Sequence, residues 1–358
     1  MKRKIMKIVT IILTLAMTIS VSGCANGAKT TDDTDSDNSQ DKDGKIKIVT
    51  SIFPEYDWVR EILGDNLDSV DLVLLQKEGT DMHSFQPSVQ DIADVSDCDL
   101  FIYTGGVSDE WASSAMANAT NKDMKVINVM DVLGDDVKDE EIIEGMQDDH
   151  DHEDEDEHDH EDEDEDDHDH EDEDDSHTHE ADEHVWLSLR NAEKICKAID
   201  EAISEIDKDE KDQYTESTNN YIKKLSDLDE QYSSMVKSSK GDTIVFGDRF
   251  PFRYLVDDYD IDYYAAFAGC SAETEASFET IVFLSDKINE FESKDIMVLE
   301  NSDQKVAESI KDNTTTKDQN IVVLNSMQSV KSSDIENGVT YLSIMEENYD
   351  TLKEVLNH

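Results

Sequence analysis

Histidine and acidic residues alternate over a long segment in the middle of the chain. Between Asp148 and Glu183, only Ser176, Thr178 and Ala181 are not Asp, Glu or His. The segment holds four His-x-His pairs, formed by His150, His152, His158, His160, His168, His170, His177 and His179. Imidazole and carboxylate groups bind divalent transition metals, and a segment of this composition cannot bury a core. We predict a disordered loop over 148–183 that collects metal ions at low affinity, with a solvated acidic spacer as the alternative.

Three further histidines lie outside this loop: His83, His184 and the last residue, His358. His83 follows a predicted strand, and His184 comes just before a predicted helix. We expect both histidines at the edge of a folded lobe, facing a cleft between two such lobes. A lone histidine is more often a surface residue or a hydrogen-bonded core residue, and that remains the alternative. We predict that His83 and His184 bind a metal ion through unprotonated ring nitrogens.

Short apolar runs alternate with amphipathic segments on both sides of the acidic loop. The predicted strands are 46–52, 70–75, 100–103, 125–129, 243–246, 261–264, 296–299 and 321–324. Predicted helices include 89–98, capped by Ser88, 278–291, capped by Ser277, and 341–356. This alternation is typical of βα units and of largely parallel sheets.

The predicted fold class is therefore α/β, with two Rossmann-like lobes that each contain a largely parallel sheet. The first lobe is expected over 46–188 and the second over 239–358. A helical region over 189–238, whose weakest point is 207–212, is expected to supply one long rigid helix that joins them. Ligands of such folds bind at the carboxyl ends of the strands, so we expect a metal cleft between the lobes.

The N-terminal residues predict export and membrane anchoring. Four basic residues precede an apolar run over 8–21, which is too short to span a bilayer. The residues Val-Ser-Gly-Cys at 21–24 resemble a bacterial lipobox. We expect cleavage after residue 23, lipidation of Cys24 and a polar tether over 24–45, which would leave the protein outside the cytoplasm on the cell membrane. A plain signal peptide with an incidental cysteine is the alternative.

Charge and cysteine content limit the partners. The formal net charge is −58 at pH 7, which argues against nucleic acid and anionic membrane surfaces as partners and favours cations. Cys98, Cys196 and Cys270 remain after Cys24, with no C-x-x-C spacing. We expect at most one disulfide, and single buried cysteines rather than zinc ligands.

Several motifs together resemble a known family. They are Thr-Ser-Ile-Phe-Pro at 50–54, Gly-Thr-Asp-Met-His-Ser-Phe-Gln-Pro at 79–87, Tyr-Thr-Gly-Gly at 103–106, and His-Val-Trp-Leu at 184–187 directly after the acidic loop. In this order and spacing they resemble the high-affinity zinc-uptake solute-binding lipoproteins, which feed zinc or manganese to ABC importers. The resemblance implies a monomeric receptor, not an enzyme, that delivers Zn²⁺, or alternatively Mn²⁺ or iron, to a permease.

The resemblance also implies two further ligands. The family's third histidine position falls on Gly247 or Asp248, and of these only Asp248 has a side-chain donor atom. Its alternative role is an ion pair with Arg249 or Arg253, or a cap on the following turn. A late carboxylate of the family falls on Asp303, with Glu300 as the alternative ligand and helix capping as the alternative role of Asp303.

Other functions are less favoured. An extracellular zinc buffer or adhesin ranks second and a receptor for a chelated metal third. A zinc hydrolase ranks last, because the sequence contains no H-E-x-x-H helix.

Overall fold

The computed structural model describes residues 44–147, 180–271 and 275–358. The predicted signal peptide, lipidated Cys24 and tether up to residue 43 lie outside these residues, and so do the eight loop histidines between 150 and 179. Within the described ranges, no helix is both long enough and apolar enough to cross a membrane.

The first lobe is built on a four-stranded sheet. Its strands are β1 (Ile46–Thr50), β2 (Val70–Leu74), β3 (Leu100–Tyr103) and β4 (Lys125–Asn128), all parallel in the order β2-β1-β3-β4. Its helices are α1 (Phe53–Leu63), α2 (Val89–Asp97), α3 (Glu110–Ala117) and α4 (Val129–Leu133). Short 3₁₀ turns occur at Gly64–Ser69, Met82–Ser84, Gly134–Asp136 and Val185–Leu187. The parallel sheet predicted from the alternating pattern is confirmed.

The second lobe repeats the same strand order. Its strands are β5 (Thr243–Phe250), β6 (Asp262–Ala268), β7 (Asp295–Leu299) and β8 (Asn320–Leu324), all parallel in the order β6-β5-β7-β8. Two linking helices, α5 (Leu189–Ile206) and α6 (Lys211–Ser238), precede this lobe. Its own helices are α7 (Arg253–Tyr259), α8 (Phe278–Phe291), α9 (Lys305–Asn313), α10 (Ser332–Glu336) and α11 (Tyr341–Val355). The carboxyl ends of the strands carry the loops that form the cleft.

The linking region consists of α5 (Leu189–Ile206) and α6 (Lys211–Ser238). The chain leaves helical geometry around Asp207, in the charged stretch that the sequence marks as weakest. The 28 residues of α6 span about 42 Å at ~1.5 Å per residue. Helix α6 packs against α1 in the first lobe and against α7 and α11 in the second. It is therefore the long bridging helix of the prediction.

The two lobes share one continuous apolar core and several buried hydrogen bonds. Tyr341, at the start of α11, donates its hydroxyl to the carbonyl of Trp186 at 2.7 Å and its backbone N–H to Asp57 at 2.7 Å. The indole N–H of Trp186 donates to the carbonyl of Ser326 at 2.9 Å. Leaving a buried polar group without a partner costs about 1–3 kcal/mol. These contacts oppose any wide opening of the lobes and fix the geometry of the cleft edge.

Strand β5 differs from its prediction by extending through Phe250 instead of ending at 246. Its pairing with β6 shifts register between Phe246 and Arg249. A Cβ on Gly247 would lie 2.9 Å from the Cα of Ala307 in α9, so only glycine fits there without movement. The irregular strand places Asp248 and Arg249 on the cleft wall.

Candidate metal site

The position of His83 is fixed by the short turn Met82–Ser84, which follows β2. Asp81 caps this turn, and its carboxylate accepts the backbone N–H of His83 at 3.0 Å. Met82 is buried in the shared core and anchors the turn. Upstream, Gly79 has φ +70°, and a Cβ there would lie 2.4 Å from the carbonyl oxygen of Ser329 in the second lobe. The turn is thus held against both lobes.

The side chain of His184 is fully buried just before α5. One carboxylate oxygen of Asp182 accepts both the backbone N–H and the Nδ1 of His184, each at 2.8 Å. The ring makes an edge contact with Trp186, with centroids 5.3 Å apart. Because an ionised carboxylate can only accept, Nδ1 carries the proton and Nε2 has a free lone pair.

A second hydrogen-bond chain orients His83 in the same way. The Ser108 hydroxyl donates to the Glu183 carboxylate, and the Ser108 backbone N–H donates to the same carboxylate at 2.8 Å. With its own proton committed, Ser108 Oγ accepts from Nδ1 of His83 at 2.8 Å. His83 therefore also presents a lone pair on Nε2. Partners of this kind orient metal-binding imidazoles and raise their basicity.

The two Nε2 atoms face each other at 3.2 Å. With both Nδ1 atoms protonated, the two lone pairs point at one another and repel. Two nitrogens bound to a tetrahedral zinc at ~2.0–2.1 Å lie about 3.3–3.4 Å apart. A bound cation would therefore relieve the repulsion with little movement of either ring.

The electrostatic surroundings keep His83 unprotonated. Burial, the positive charge that His184 would carry, and Arg249 lower the pKa of His83 to about 4. Its side chain is 16% exposed and so can be reached from the cleft. At neutral pH this ring is a neutral ligand that loses no proton when a metal binds.

A cluster of buried carboxyl groups lies behind the histidines. Burial raises the pKa of Glu183, raises that of Asp109 to about 6 and raises that of Glu55 to about 8. Asp109 accepts the backbone N–H of Gly105 at 3.1 Å, and Glu55 accepts that of Ser51 at 2.9 Å. With a pKa of about 8, Glu55 is protonated and uncharged at neutral pH, so it adds no negative charge to this cluster.

Cys270 joins the two histidines. Among the residues that the structure describes, one group of at least three His, Cys, Asp or Glu side chains could hold a metal: His83, His184 and Cys270, with all ligand atoms within 4.8 Å of one another. Cys98, Cys196 and Cys270 are all free thiols. From the sequence we expect no zinc ligand among these three cysteines, and the structure places Cys270 beside the two histidines. Cys270 lies just after the carboxyl end of β6, where ligands of parallel sheets bind, and this position could have indicated it from the sequence.

The predicted acidic ligands lie in the cleft wall but outside this group. Asp248 is half-buried, and its carboxylate accepts the backbone N–H of Arg249 at 2.9 Å. Asp303 is exposed, accepts the backbone N–H of Lys305 at 3.1 Å and pairs with the Lys305 ammonium group. Asp303 is thus bound to Lys305, the first residue of α9, close to the capping role that the sequence suggests as the alternative.

Glu300 lies in the same cleft wall, but its carboxylate binds Ser326 and Ser329 and not α9. Its carboxylate accepts the backbone N–H of Ser326 at 2.9 Å, the Ser326 hydroxyl at 3.0 Å and the Ser329 hydroxyl at 3.2 Å. Glu300, Asp248, His83 and Cys270 all line one cleft of about 560 Å³ between the lobes. Glu300 is therefore held in the cleft by hydrogen bonds, whereas Asp303, which lines the same cleft, is exposed and pairs with Lys305.

An ion pair crosses the same cleft. The guanidinium of Arg249 contacts the carboxylate of Asp81 at 2.6 Å, and both side chains are mostly buried. This pair links the turn that carries His83 to the irregular strand β5. Without Asp81, Arg249 would place an uncompensated positive charge near His83. Asp81 therefore both positions His83 and makes the cleft tolerant of a cation.

Comparison with known proteins agrees with this architecture. A family model described as "Zinc-uptake complex component A periplasmic" matches residues 48–355. The zinc-binding lipoprotein AdcA of Streptococcus pneumoniae is 28% identical over 323 residues, which are 88% of this chain but 57% of AdcA. The chain thus spans little more than half the length of that relative.

Two comparisons cover nearly the whole partner. The high-affinity zinc uptake system protein ZnuA of Bacillus subtilis is 28% identical over 319 residues, which are 89% of this chain and 90% of ZnuA. The crystal structure of the metal-dependent lipoprotein YcdH of Bacillus subtilis superposes with a TM-score of 0.66 at 26% identity, covering 87% of this chain and 99% of that one. Since the family model spans nearly all described residues, the chain belongs to the family of periplasmic A components of zinc-uptake complexes.

Proposed function

We propose that the chain is a receptor that captures Zn²⁺ outside the cytoplasm and delivers it to an ABC permease. The observation that carries the proposal is the pair of Nε2 atoms of His83 and His184 at 3.2 Å, with each Nδ1 held by an acceptor. Two imidazoles fixed in this tautomer favour zinc over manganese among biological ions. The cargo binds and leaves unchanged, so the protein acts as a transport component and not as an enzyme.

A carboxylate completes the surroundings of the cargo. Glu300 is the candidate that the geometry favours, because it is held inside the cleft by Ser326 and Ser329. Asp248 remains a proposed ligand that would need a rotation away from the backbone of Arg249. Asp303 would first have to leave Lys305 and the start of α9. Manganese or iron as cargo is the alternative if oxygen ligands dominate.

Capture and release are proposed to occur at the cleft mouth rather than by wide opening of the lobes. The hydrogen bonds of Tyr341 and Trp186 bind one lobe to the other below the cleft. The Asp81–Arg249 ion pair crosses the cleft and is partly solvated, so it can break at lower cost. Small movements of this pair and of the His83 turn would then let a hydrated ion in and the cargo out.

The segments outside the described residues complete the proposal. A lipid on Cys24 would hold the receptor, as a monomer, beside the permease on the cell membrane. The histidines between 150 and 179 would collect zinc weakly and raise its concentration near the cleft. The described chain resumes at Glu180, four residues before His184, so zinc held by the loop would lie near this histidine in sequence.

Zinc titration of a variant lacking 148–179 tests the proposal. Isothermal calorimetry with native mass spectrometry should show one tight zinc site that is lost in His83→Ala and in His184→Ala. His358→Ala is the matched control, because His358 pairs with Asp295 outside the cleft. It should bind zinc like its parent.

Two other outcomes would redirect the assignment. A tight site that prefers Mn²⁺ would keep the receptor and change its cargo. No tight site in the loop-deleted protein, together with many weak sites in the full chain, would contradict the receptor and leave an extracellular zinc buffer.

A further inference from the structure

The third protein ligand of the cleft is open, and Cys270 is the side chain best placed for it. Its Sγ and one ring nitrogen of each histidine all lie within 4.8 Å of one another. In a tetrahedral zinc site with Zn–S ~2.3 Å and Zn–N ~2.0–2.1 Å, sulfur and nitrogen lie about 3.6 Å apart. Closing the remaining distance requires about one ångström of movement. We propose that Cys270 binds the cargo metal as a thiolate, so that the site is a His₂Cys site, an inference that rests on the proposed receptor function.

Two contacts hold the backbone at Cys270. A Cβ on the preceding Gly269 would lie 2.9 Å from the carbonyl oxygen of Phe250 and 3.2 Å from Cε1 of His184. The backbone of Gly269 therefore packs directly against the His184 ring. The backbone N–H of Cys270 donates to the carboxylate of Glu140 at 2.8 Å. These contacts place the thiol next to the histidines before any metal binds.

The other two cysteines in the described residues show what a structural thiol looks like in this protein. Cys98 is fully buried and donates to the carbonyl of Val95 at 3.2 Å, and Cys196 is fully buried on α5. Cys270, in contrast, is only partly buried and lines the cleft. It is thus accessible to an ion that also reaches His83.

A thiolate would settle the choice of metal. On binding, the S–H proton leaves to solvent and an S–Zn bond takes its place, while both imidazoles bind through lone pairs. Thiolate and imidazole ligands suit zinc, whereas manganese prefers oxygen ligands. Cys270 would therefore supply the selectivity that a third histidine would otherwise provide, and Asp248 would not be needed as a ligand.

Cobalt(II) absorption of the full chain tests this directly. A cobalt–thiolate bond gives a charge-transfer band in the near ultraviolet that imidazole and carboxylate ligands do not give. The loop between 148 and 179 contains no cysteine, so it cannot contribute to the band. We expect the band at one equivalent of Co²⁺, its loss in Cys270→Ser, and its retention in Cys98→Ser. Zinc affinity of Cys270→Ser should fall by more than the roughly 10–100-fold that losing an outer hydrogen-bond partner costs.

Two controls separate ligand loss from misfolding. Thermal unfolding of metal-free Cys270→Ser should match that of the parent. Cys270→His should recover tight zinc binding without the charge-transfer band.

The outcomes distinguish this inference from the proposed function. Tight Co²⁺ and Zn²⁺ binding that depends on His184 but shows no band would overturn the thiolate and leave the receptor intact. No tight, His184-dependent binding of either metal would overturn both.

Discussion

Substitutions of Asp182 test whether its carboxylate orients the His184 ring for metal binding. One of its carboxylate oxygens accepts both the backbone N–H and the Nδ1–H of His184 at 2.8 Å. The Asp182 side chain is 4% exposed, so solvent does little to replace this contact. Asp182→Asn keeps an oxygen acceptor in the same place and removes the charge. Asp182→Ala removes the acceptor as well.

The expected losses follow from the strength of these contacts. A hydrogen bond to a charged group contributes about 1.5–3 kcal/mol, and mutation of outer partners of metal-binding histidines typically costs 10–100-fold in affinity. We expect zinc affinity to fall by roughly tenfold in Asp182→Asn, because only the charge is lost. In Asp182→Ala we expect a loss of about 100-fold, because the ring can then rotate and exchange tautomers.

The assay is competition for zinc between the loop-deleted protein and a chromophoric chelator of known affinity. Asp229→Asn is the matched control, since Asp229 pairs with Arg190 and receives the hydroxyl of Tyr259 outside the cleft. Its zinc affinity should equal that of the parent. Unchanged affinity in both Asp182 variants, with folding intact, would refute the argument that this carboxylate fixes the tautomer of His184.

Three further predictions concern the cleft wall and the buried acids. Glu300→Gln should weaken zinc binding at least tenfold in the competition assay. Asp303→Asn should leave zinc affinity unchanged and lower the melting temperature only slightly, because Asp303 is exposed and its carboxylate accepts the backbone N–H of Lys305 and pairs with the Lys305 ammonium group. The reverse ranking would restore Asp303 as the ligand. Gly269→Ala should lower both the free energy of unfolding and the zinc affinity. The added Cβ would lie 2.9 Å from the carbonyl oxygen of Phe250 and 3.2 Å from Cε1 of His184. A variant that matches the wild type in both quantities would contradict the close packing. Burial raises the pKa of Glu55 from 4.5 to about 8, so the folded state binds this proton more tightly than the unfolded state. The stabilisation is complete below about pH 4.5 and is lost as the pH rises through about 8. Urea unfolding between pH 6.5 and 8.5 should therefore show a steeper loss of stability in the parent than in Glu55→Gln, and parallel curves would contradict the raised pKa of Glu55.

The fold could be predicted well because its signals are local. Each strand contains a short apolar run, and the predicted strand at 100–103 has the same bounds as β3, which is almost fully buried. Helix α8, predicted at 278–291 from its Ser277 cap, also has the predicted bounds. Strand β5 was predicted too short because Gly247, Asp248 and Arg249 interrupt the apolar run. That interruption reflects packing on α9 and the cleft, which depends on contacts distant in sequence.

The site was harder to predict than the fold. His83 and His184 stood out because the chain has few histidines outside the loop, and the structure brings their Nε2 atoms together. Cys270 carried no spacing signal, since its neighbours in the site are far away in sequence. The sequence ranked Asp303 ahead of Glu300 as the acidic ligand, but it could not show how each carboxylate is held, because both lie in the same loop. The structure separates them by their donors: Asp303 accepts the backbone N–H of Lys305 in α9, whereas Glu300 accepts that of Ser326.

The central claim is that one zinc ion binds between His83 and His184. A crystal structure of the protein with one equivalent of zinc, with anomalous difference density measured on both sides of the zinc edge, tests it most directly. The account predicts one dominant zinc peak about 2.0–2.1 Å from both Nε2 atoms. A dominant peak elsewhere, with these two nitrogens unbound, would contradict it.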